Sequence, residues 1–458
     1  MPHIEDVAQE LAGKLSGCRA DYIEAHLEDS VSSYITYRGN ELENIGKGAS
    51  VGGNIRAFVR GGWGFVSFNS LDGLERRIQL AIEEAELAGK EPRELADVPG
   101  VVETVAYPDR TNPVDIPLSH KKELLDGYNA VLWQVPQLQT SIISYGDGYK
   151  KSIYINSQGS LIQQERFDVT LNVAAIASDG DQVQQANLSI GNPGEFSAIQ
   201  QLDGQIKDMA LRAVELLSAP QAKGGEYTVV LDPILAGVFV HEAFGHLSEA
   251  DFVYENERMR ELMVLGKRFG RPELNIVDGA VLSGLRGSFK YDDEGTPAGK
   301  TYLIKEGVLN SRLHSRETAA KMGEKPTGNA RAINYRHAPI VRMTNTYIEP
   351  GETSLEEMIS GIDEGIYAKN WYGGTTSMEM FTFSAGESFM IRNGKIAELM
   401  RPVVLTGNVF ETLQQIDCIG DDLDMNQGGG CGKGGQSPLP VSNGSPHIRI
   451  QKCLVGGK

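Results

Sequence analysis

DYIEAHLED (residues 21–29), SSYITYRGNELEN (32–44) and NIRAFVRGGWGFVSF (54–68) alternate apolar with polar side chains and are rich in β-branched and aromatic residues. A period of two puts every second side chain on one face of a pleated strand, so these stretches read as a meander of strands. Helical spacing brackets them. Ile4, Val7, Leu11 and Leu15 precede the meander at intervals of three and four and stop at Gly17. Residues 72–89 (DGLERRIQLAIEEAELAG) follow it, with Asp72 the expected N-cap and Gly89 past the end. Residues 1–90 are thus expected to form an N-terminal α+β unit.

Residues 91–117 hold five prolines and no clear period, as a linker does. A second α+β unit is expected over 118–220. It has a helix from Leu118, hairpins turning at Gln158-Gly159 and Asp179-Gly180, and a closing amphipathic helix over 203–218. Pro220 and Gly224-Gly225 mark the last boundary. Residues 221–458 read as β-rich, with a buried strand in YTVVLDP (227–233) and hairpins at Glu306-Gly307 and Asn393-Gly394. One helix there carries HEAFGHLSEAD (241–251). The expected fold is α+β, a mixed N-terminal part followed by a β-rich C-terminal domain with one metal-binding helix.

Composition narrows the function. The 458 residues carry 43 basic and 61 acidic side chains, a formal charge of −18, which opposes nucleic-acid binding because phosphate affinity comes from clustered Lys and Arg. The longest apolar run, VVLDPILAGVFV (229–240), contains Asp232 and Pro233 and falls short of the roughly 20 residues that span a bilayer. MPHIEDVAQE opens with acids where a secretory signal carries Lys or Arg, so a cytoplasmic location is expected. Four cysteines in so long a chain make no disulfide framework; Cys18, Cys418 and Cys453 read as buried filler. Glycine, 53 residues against a norm of roughly 7%, concentrates in the last third, where unusual backbone geometry is needed.

His241, Glu242 and His246 are the chemical centre of the sequence. Two imidazoles on one helix with a Glu beside the first build a zinc site, the carboxylate serving to take a proton from water. The spacing is one residue longer than HExxH. Positions five apart on a regular α-helix differ by about 140°, so both rings reach one ion only through a π-type turn, which Gly245 eases. A third ligand is required, and Glu249, Asp251, His447 and Cys431 are candidates. Cys431 lies among glycines that let the backbone approach an ion, beside Lys433, which favours a thiolate.

YRGNELENIGKGASVGGNIRAFV (37–59), VFVHEAFGHLSEAD (238–251), YDDEGTPAGKTYLIKEGVL (291–309), PTGNARA (326–332), RMTNTYIEPG (342–351), GIYAKNWYGG (365–374), CGKGGQSPLP (431–440) and the closing LVGGK together make the chain resemble the TldD/PmbA family of cytoplasmic metalloproteases, also called DNA gyrase modulators, and within it the active, TldD-like branch. The resemblance runs nearly end to end. It implies that His241, His246 and Cys431 bind one Zn²⁺ per chain, with Glu242 as general base. It also implies short or unfolded peptide substrates and dimers, either of this chain or with a PmbA/TldE-like chain. Phe244 stands where the family has smaller residues and is expected to narrow the mouth of the site.

Oxyanion and substrate contacts are expected from backbone N–H groups of the Gly428–Gly430 loop, Gly429 and Gly430 foremost, or from Gly373 and Gly374. Asp292, Asp293 and Glu294 either orient a ligand histidine, bind a second cation or form an acidic turn. Arg331 and Arg342 pair with an internal acid or a substrate carboxylate. β-rich edges suit strand addition by an extended peptide. The alternatives are a regulatory protein with a structural zinc site and a zinc amidohydrolase acting on a small non-peptide amide. The first leaves Glu242 idle and lacks the fourth Cys or His of a closed site.

Overall fold

The computed structural model describes residues 3–106 and 112–456; part of the proline-rich segment (107–111) and the last two residues of LVGGK lie outside the described residues. The alternating stretches form the antiparallel strands Tyr22–Arg38, Glu41–Val59 and Gly62–Phe68. Tyr22–Arg38 pairs on its other edge with Leu138–Asn156, and Leu161–Ser178 and Val183–Asn192 continue outward. Strands from both N-terminal segments therefore share one seven-stranded sheet, completed by Val102–Thr104 running parallel to residues 161–163.

The sheet is continuous but its packing is not. Helices Ile4–Leu15 and Leu74–Ala88 bury Val7, Leu11, Ile78 and Ile82 against Ile23, Leu27 and Ile55. Helices Leu118–Leu132 and Asp203–Ser218 bury Leu125, Ile206 and Ala210 against Ile143, Leu171 and Val173 in a separate cluster. Each fully buried aliphatic side chain contributes about 1.5–3 kcal/mol, so each helix pair anchors its own half. On that ground we propose 1–90 and 118–220 as two units on a common sheet. The N-cap of the second helix is Gly73, in the left-handed region at φ 68°, and not Asp72 as its side chain suggests. Asp72 is held instead in the preceding turn, where Ser70 Oγ donates to it at 3.2 Å.

The C-terminal part is β-rich, as expected, with a six-stranded and a seven-stranded sheet around one large apolar core. The strand Gly225–Leu231 lies between Glu364–Ser377, parallel, and Ile448–Gly456, antiparallel. At its end Asp232 caps the helix Pro233–Val240, its carboxylate accepting from Leu235 N at 2.8 Å, with Pro233 at the first helical position. This apolar helix is buried between the sheets. A Cβ on Gly237 would stand 3.0 Å from Gly444 N, so the helix lies flush on the strand Ser442–Ser445. No helix among the described residues is long and apolar enough to cross a membrane.

Candidate metal centre

The apolar helix does not continue regularly through its histidines. Residues His241–Gly245 form a π-helical turn in which His246 N–H donates to the His241 carbonyl, five residues back, and His246–Ser248 tightens to a 3₁₀ turn. The wider turn does what the five-residue spacing demands: the rings of His241 and His246 stand 5.4 Å apart between centroids, edge to face at 83°. Gly245 also has a packing reason to lack a side chain, since a Cβ there would fall 2.1 Å from Met343 Sδ. Gly245→Val is expected to lower stability by about 2–3 kcal/mol, read from urea unfolding of the metal-free protein; an unchanged midpoint would contradict this packing.

Cys431 comes from a hairpin of the strands Gly430–Lys433 and Gln436–Pro440. Its Sγ lies 3.5 Å from His246 Nε2, and one ligand atom each from His241, His246 and Cys431 all fall within 4.8 Å of one another. Zinc–nitrogen and zinc–sulfur bonds of about 2.0–2.3 Å place tetrahedral ligand atoms roughly 3.3–3.8 Å apart, so the cluster fits a divalent ion with little closure. His241 is 3% exposed and its Nδ1 has no hydrogen-bond partner, so that nitrogen is not bound elsewhere in the protein. Burial alone would push the Cys431 thiol up, but charge and hydrogen-bond interactions with His241 and His246 pull it down to about 5. A thiolate at neutral pH is the form that binds a metal.

The other candidate ligands have different partners. Glu249 Oε2 meets His246 Nδ1 at 3.0 Å and Lys433 Nζ at 3.0 Å, and Lys433 also bonds Asp251 at 2.7 and 2.8 Å. Burial would raise the Glu249 carboxyl, yet His246 and Lys433 hold it below the ordinary range. Lys433 thus anchors the acids behind His246. Glu249 orients the imidazole from its far side, the usual carboxylate partner of a ligand histidine. Glu249→Ala is expected to weaken metal binding by roughly 10–100-fold, measured by competition with a chromophoric chelator; unchanged affinity would remove Glu249 from the site. His447 lies apart, between Asp422 Oδ2 at 2.5 Å and Tyr367 Oη at 2.9 Å.

Arg331 and Arg342 pair with neither an acid nor open space. Arg342 donates to the carbonyls of Cys431 at 2.8 Å and Gln436 at 3.2 Å, and Arg331 to those of Met343 and Pro440, both at 2.7 Å. Both buried guanidiniums therefore brace the cysteine hairpin, a use of Arg that its fork of donors allows. Phe244 does not narrow a mouth: it is fully buried in the core, 6.0 Å from the ring of Phe269. Cys18 and Cys418 are half-buried, so only Cys453 of the three filler cysteines is fully enclosed.

His241 and Glu242 open on a cleft of about 540 Å³ between the strands 161–192 and the C-terminal core. The Glu242 side chain is one-third exposed, with Oε2 3.9 Å from His246 Nε2, beyond hydrogen-bond reach. Gly428, Gly429 and Gly430 line this cleft; Gly373 and Gly374 do not, being paired with Ser384 and Phe383 further along their strand. Arg286 crosses the cleft wall, its Nε and Nη2 on the two Asp168 oxygens at 2.6 and 2.8 Å and its Nη1 on the Gln427 and Gly429 carbonyls, both at 2.6 Å. No local signal marks this link, because its partners are far apart in the chain. Asp292 caps its own turn, accepting from Glu294 N, Thr296 N and Ala330 N, while Glu294 pairs with Arg56 at 2.6 Å. Asp293 accepts from Ala332 N at 2.7 Å. The acidic turn thus joins the C-terminal part to the first sheet.

Comparison with known proteins agrees with this architecture. Family models described as the PmbA/TldA metallopeptidase domain 1, central domain and C-terminal domain match residues 24–86, 111–219 and 224–457. A metalloprotease of Synechocystis sp. is 47% identical over 450 residues, covering 98% of this chain and 97% of that protein. A zinc metalloprotease TldD homolog of Saccharolobus solfataricus is 31% identical over 445 residues, covering 96% and 97%. Among solved structures, TldE from Thermococcus kodakarensis superposes with a TM-score of 0.74 at 18% identity, over 98% of this chain and 100% of that one.

Proposed function

The chain belongs to the PmbA/TldD metallopeptidase family, and from that premise we propose that it is a zinc-dependent peptidase acting on short or unfolded polypeptides. The observation that carries the reading is the convergence of His241, His246 and Cys431 beside Glu242 in an open cleft. We assign those three residues as ligands of one Zn²⁺. Bound there with a position left open, the ion would polarise a scissile carbonyl and make water more acidic.

The protein's own groups supply the rest. Glu242 takes the proton from the attacking water and returns it to the leaving amine. Its carboxylate is solvent-accessible, as a proton carrier must be, and no hydrogen bond from the described residues holds it elsewhere. Gly429 and Gly430 border the cleft, and we assign their backbone N–H groups as donors to the developing oxyanion. Arg286 fixes that glycine loop from behind through its carbonyls. A cleft of about 540 Å³ supports the choice of an extended chain over a folded domain, and cleavage is accordingly assigned to unstructured segments. Work in the cytoplasm and pairing as a dimer, with a second copy or with a TldE-like chain, are part of this proposal, the TldE-like pairing on the fold the chain shares with TldE.

The test is mass spectrometry of a mixed pool of unstructured peptides incubated with zinc-loaded protein, alone and with a PmbA/TldE-like partner. New internal termini are expected, to disappear on chelation and return with added zinc. Loaded protein that leaves every peptide intact in both arrangements, or cuts only small non-peptide amides, would overturn the reading.

A further inference from the structure

Besides His241 Nδ1, three polar side-chain atoms of residues lining the cleft are shielded from solvent and have no hydrogen-bond partner among the described residues: Trp371 Nε1, Asn187 Oδ1 and Asn443 Oδ1. Unmet buried donors and acceptors are costly, and four of the fifteen among the described residues belong to residues lining this one cleft, where a ligand that reached them would complete the bonding. They come from three elements. Asn187 lies in the strand Val183–Asn192, Trp371 in Glu364–Ser377 and Asn443 in Ser442–Ser445. Asn443 is 7% exposed, and its backbone packs against Gly237, four residues and one helical turn ahead of His241.

Trp371 is aimed by its backbone. Asn370 adopts φ 56°, in the left-handed region, and the pairing register slips between Trp371 and Gly373. A bulge of this kind re-aims a side chain and recurs beside active sites. Asp232, which caps the helix leading to His241, also accepts from Asn370 N at 3.0 Å. The Asn370 side chain in turn accepts from Trp371 N at 2.8 Å and donates to the Asn187 carbonyl at 3.2 Å. One carboxylate therefore sets both the helix that leads to His241 and the bulge that presents the indole, and Asn370 ties both to the strand that carries Asn187.

The chemistry selects the ligand. An indole N–H and two carboxamides, which carry donors and acceptors but no charge, match the C=O and N–H of peptide groups. Arg286, the guanidinium in this wall, is committed to Asp168 and two carbonyls and offers nothing to an acidic group. Resting on the peptidase reading, we propose that Trp371, Asn187 and Asn443 hold the main chain of an uncharged peptide segment beside the metal cluster. Trp371 Nε1–H donates to a substrate carbonyl, and the Asn187 and Asn443 amides accept from substrate N–H groups.

Calorimetric titration of zinc-loaded Glu242→Gln protein with a short unstructured peptide of uncharged residues tests this without requiring turnover. Trp371→Phe and Asn443→Leu on that background are each expected to weaken binding by about 3–10-fold, with metal content unchanged. Trp371→Phe keeps an aromatic ring and removes the N–H, which separates the hydrogen bond from packing. If Asn443→Leu fails to fold, Asn187→Ala takes its place. Affinity within about twofold of the parent in the variants, or a parent that binds no peptide, overturns the proposal. Peptide binding with these dependences in a wild type that cuts nothing would sink the peptidase reading and leave this contact set standing.

Discussion

Glu242→Gln is expected to keep its metal and to lose peptide hydrolysis by about 10²–10⁴-fold, the range for removing a positioned acid–base group. Glutamine preserves the size of the side chain and its place in the cleft but accepts no proton at neutral pH. The carboxylate stands 3.9 Å from His246 Nε2 and is one-third exposed, so the substitution breaks no buried ion pair and should leave the fold intact. Steady-state kinetics with an unstructured peptide, beside elemental analysis of the same samples, makes the comparison. Loss of metal in the variant would make Glu242 a ligand, and retained turnover would place the proton transfer on another group.

Cys431→Ala is the second large effect. It removes the one soft donor of the cluster and leaves two imidazoles, so affinity for zinc should fall by more than the roughly 10–100-fold that accompanies loss of an outer hydrogen-bond partner. The hairpin itself should survive, because Arg342 holds the Cys431 carbonyl and not the thiol. Chelator competition gives the affinity, and circular dichroism checks the fold. Wild-type affinity in this variant would exclude the thiolate from the site.

Much of this molecule was legible where local chemistry decides. The meander, four of the helices and the hairpins follow period and turn residues, and the π turn follows from asking how His241 and His246 reach one ion. What stayed hidden depends on partners distant in sequence. The alternating pattern of Tyr22–Arg38 tells which face is buried but does not say that one of its edges pairs with Leu138–Asn156. Arg331 and Arg342 could not be placed, because backbone carbonyls, their actual partners, leave no mark in side-chain sequence. Phe244 misled for the opposite reason: beside two histidines it looked like part of the site, whereas the π turn rotates it into the core. Proximity in sequence makes Glu249 a candidate ligand, whereas three-dimensional packing sets it against Nδ1 of His246.

X-ray absorption at the zinc edge of the loaded wild-type protein tests the central claim most directly, since it counts ligand types without reference to activity. The assignment of His241, His246 and Cys431 predicts one sulfur at about 2.3 Å and two imidazole nitrogens at about 2.0–2.1 Å, with the sulfur contribution absent from Cys431→Ala. A first shell without sulfur, or one that is the same in wild type and Cys431→Ala, would contradict it.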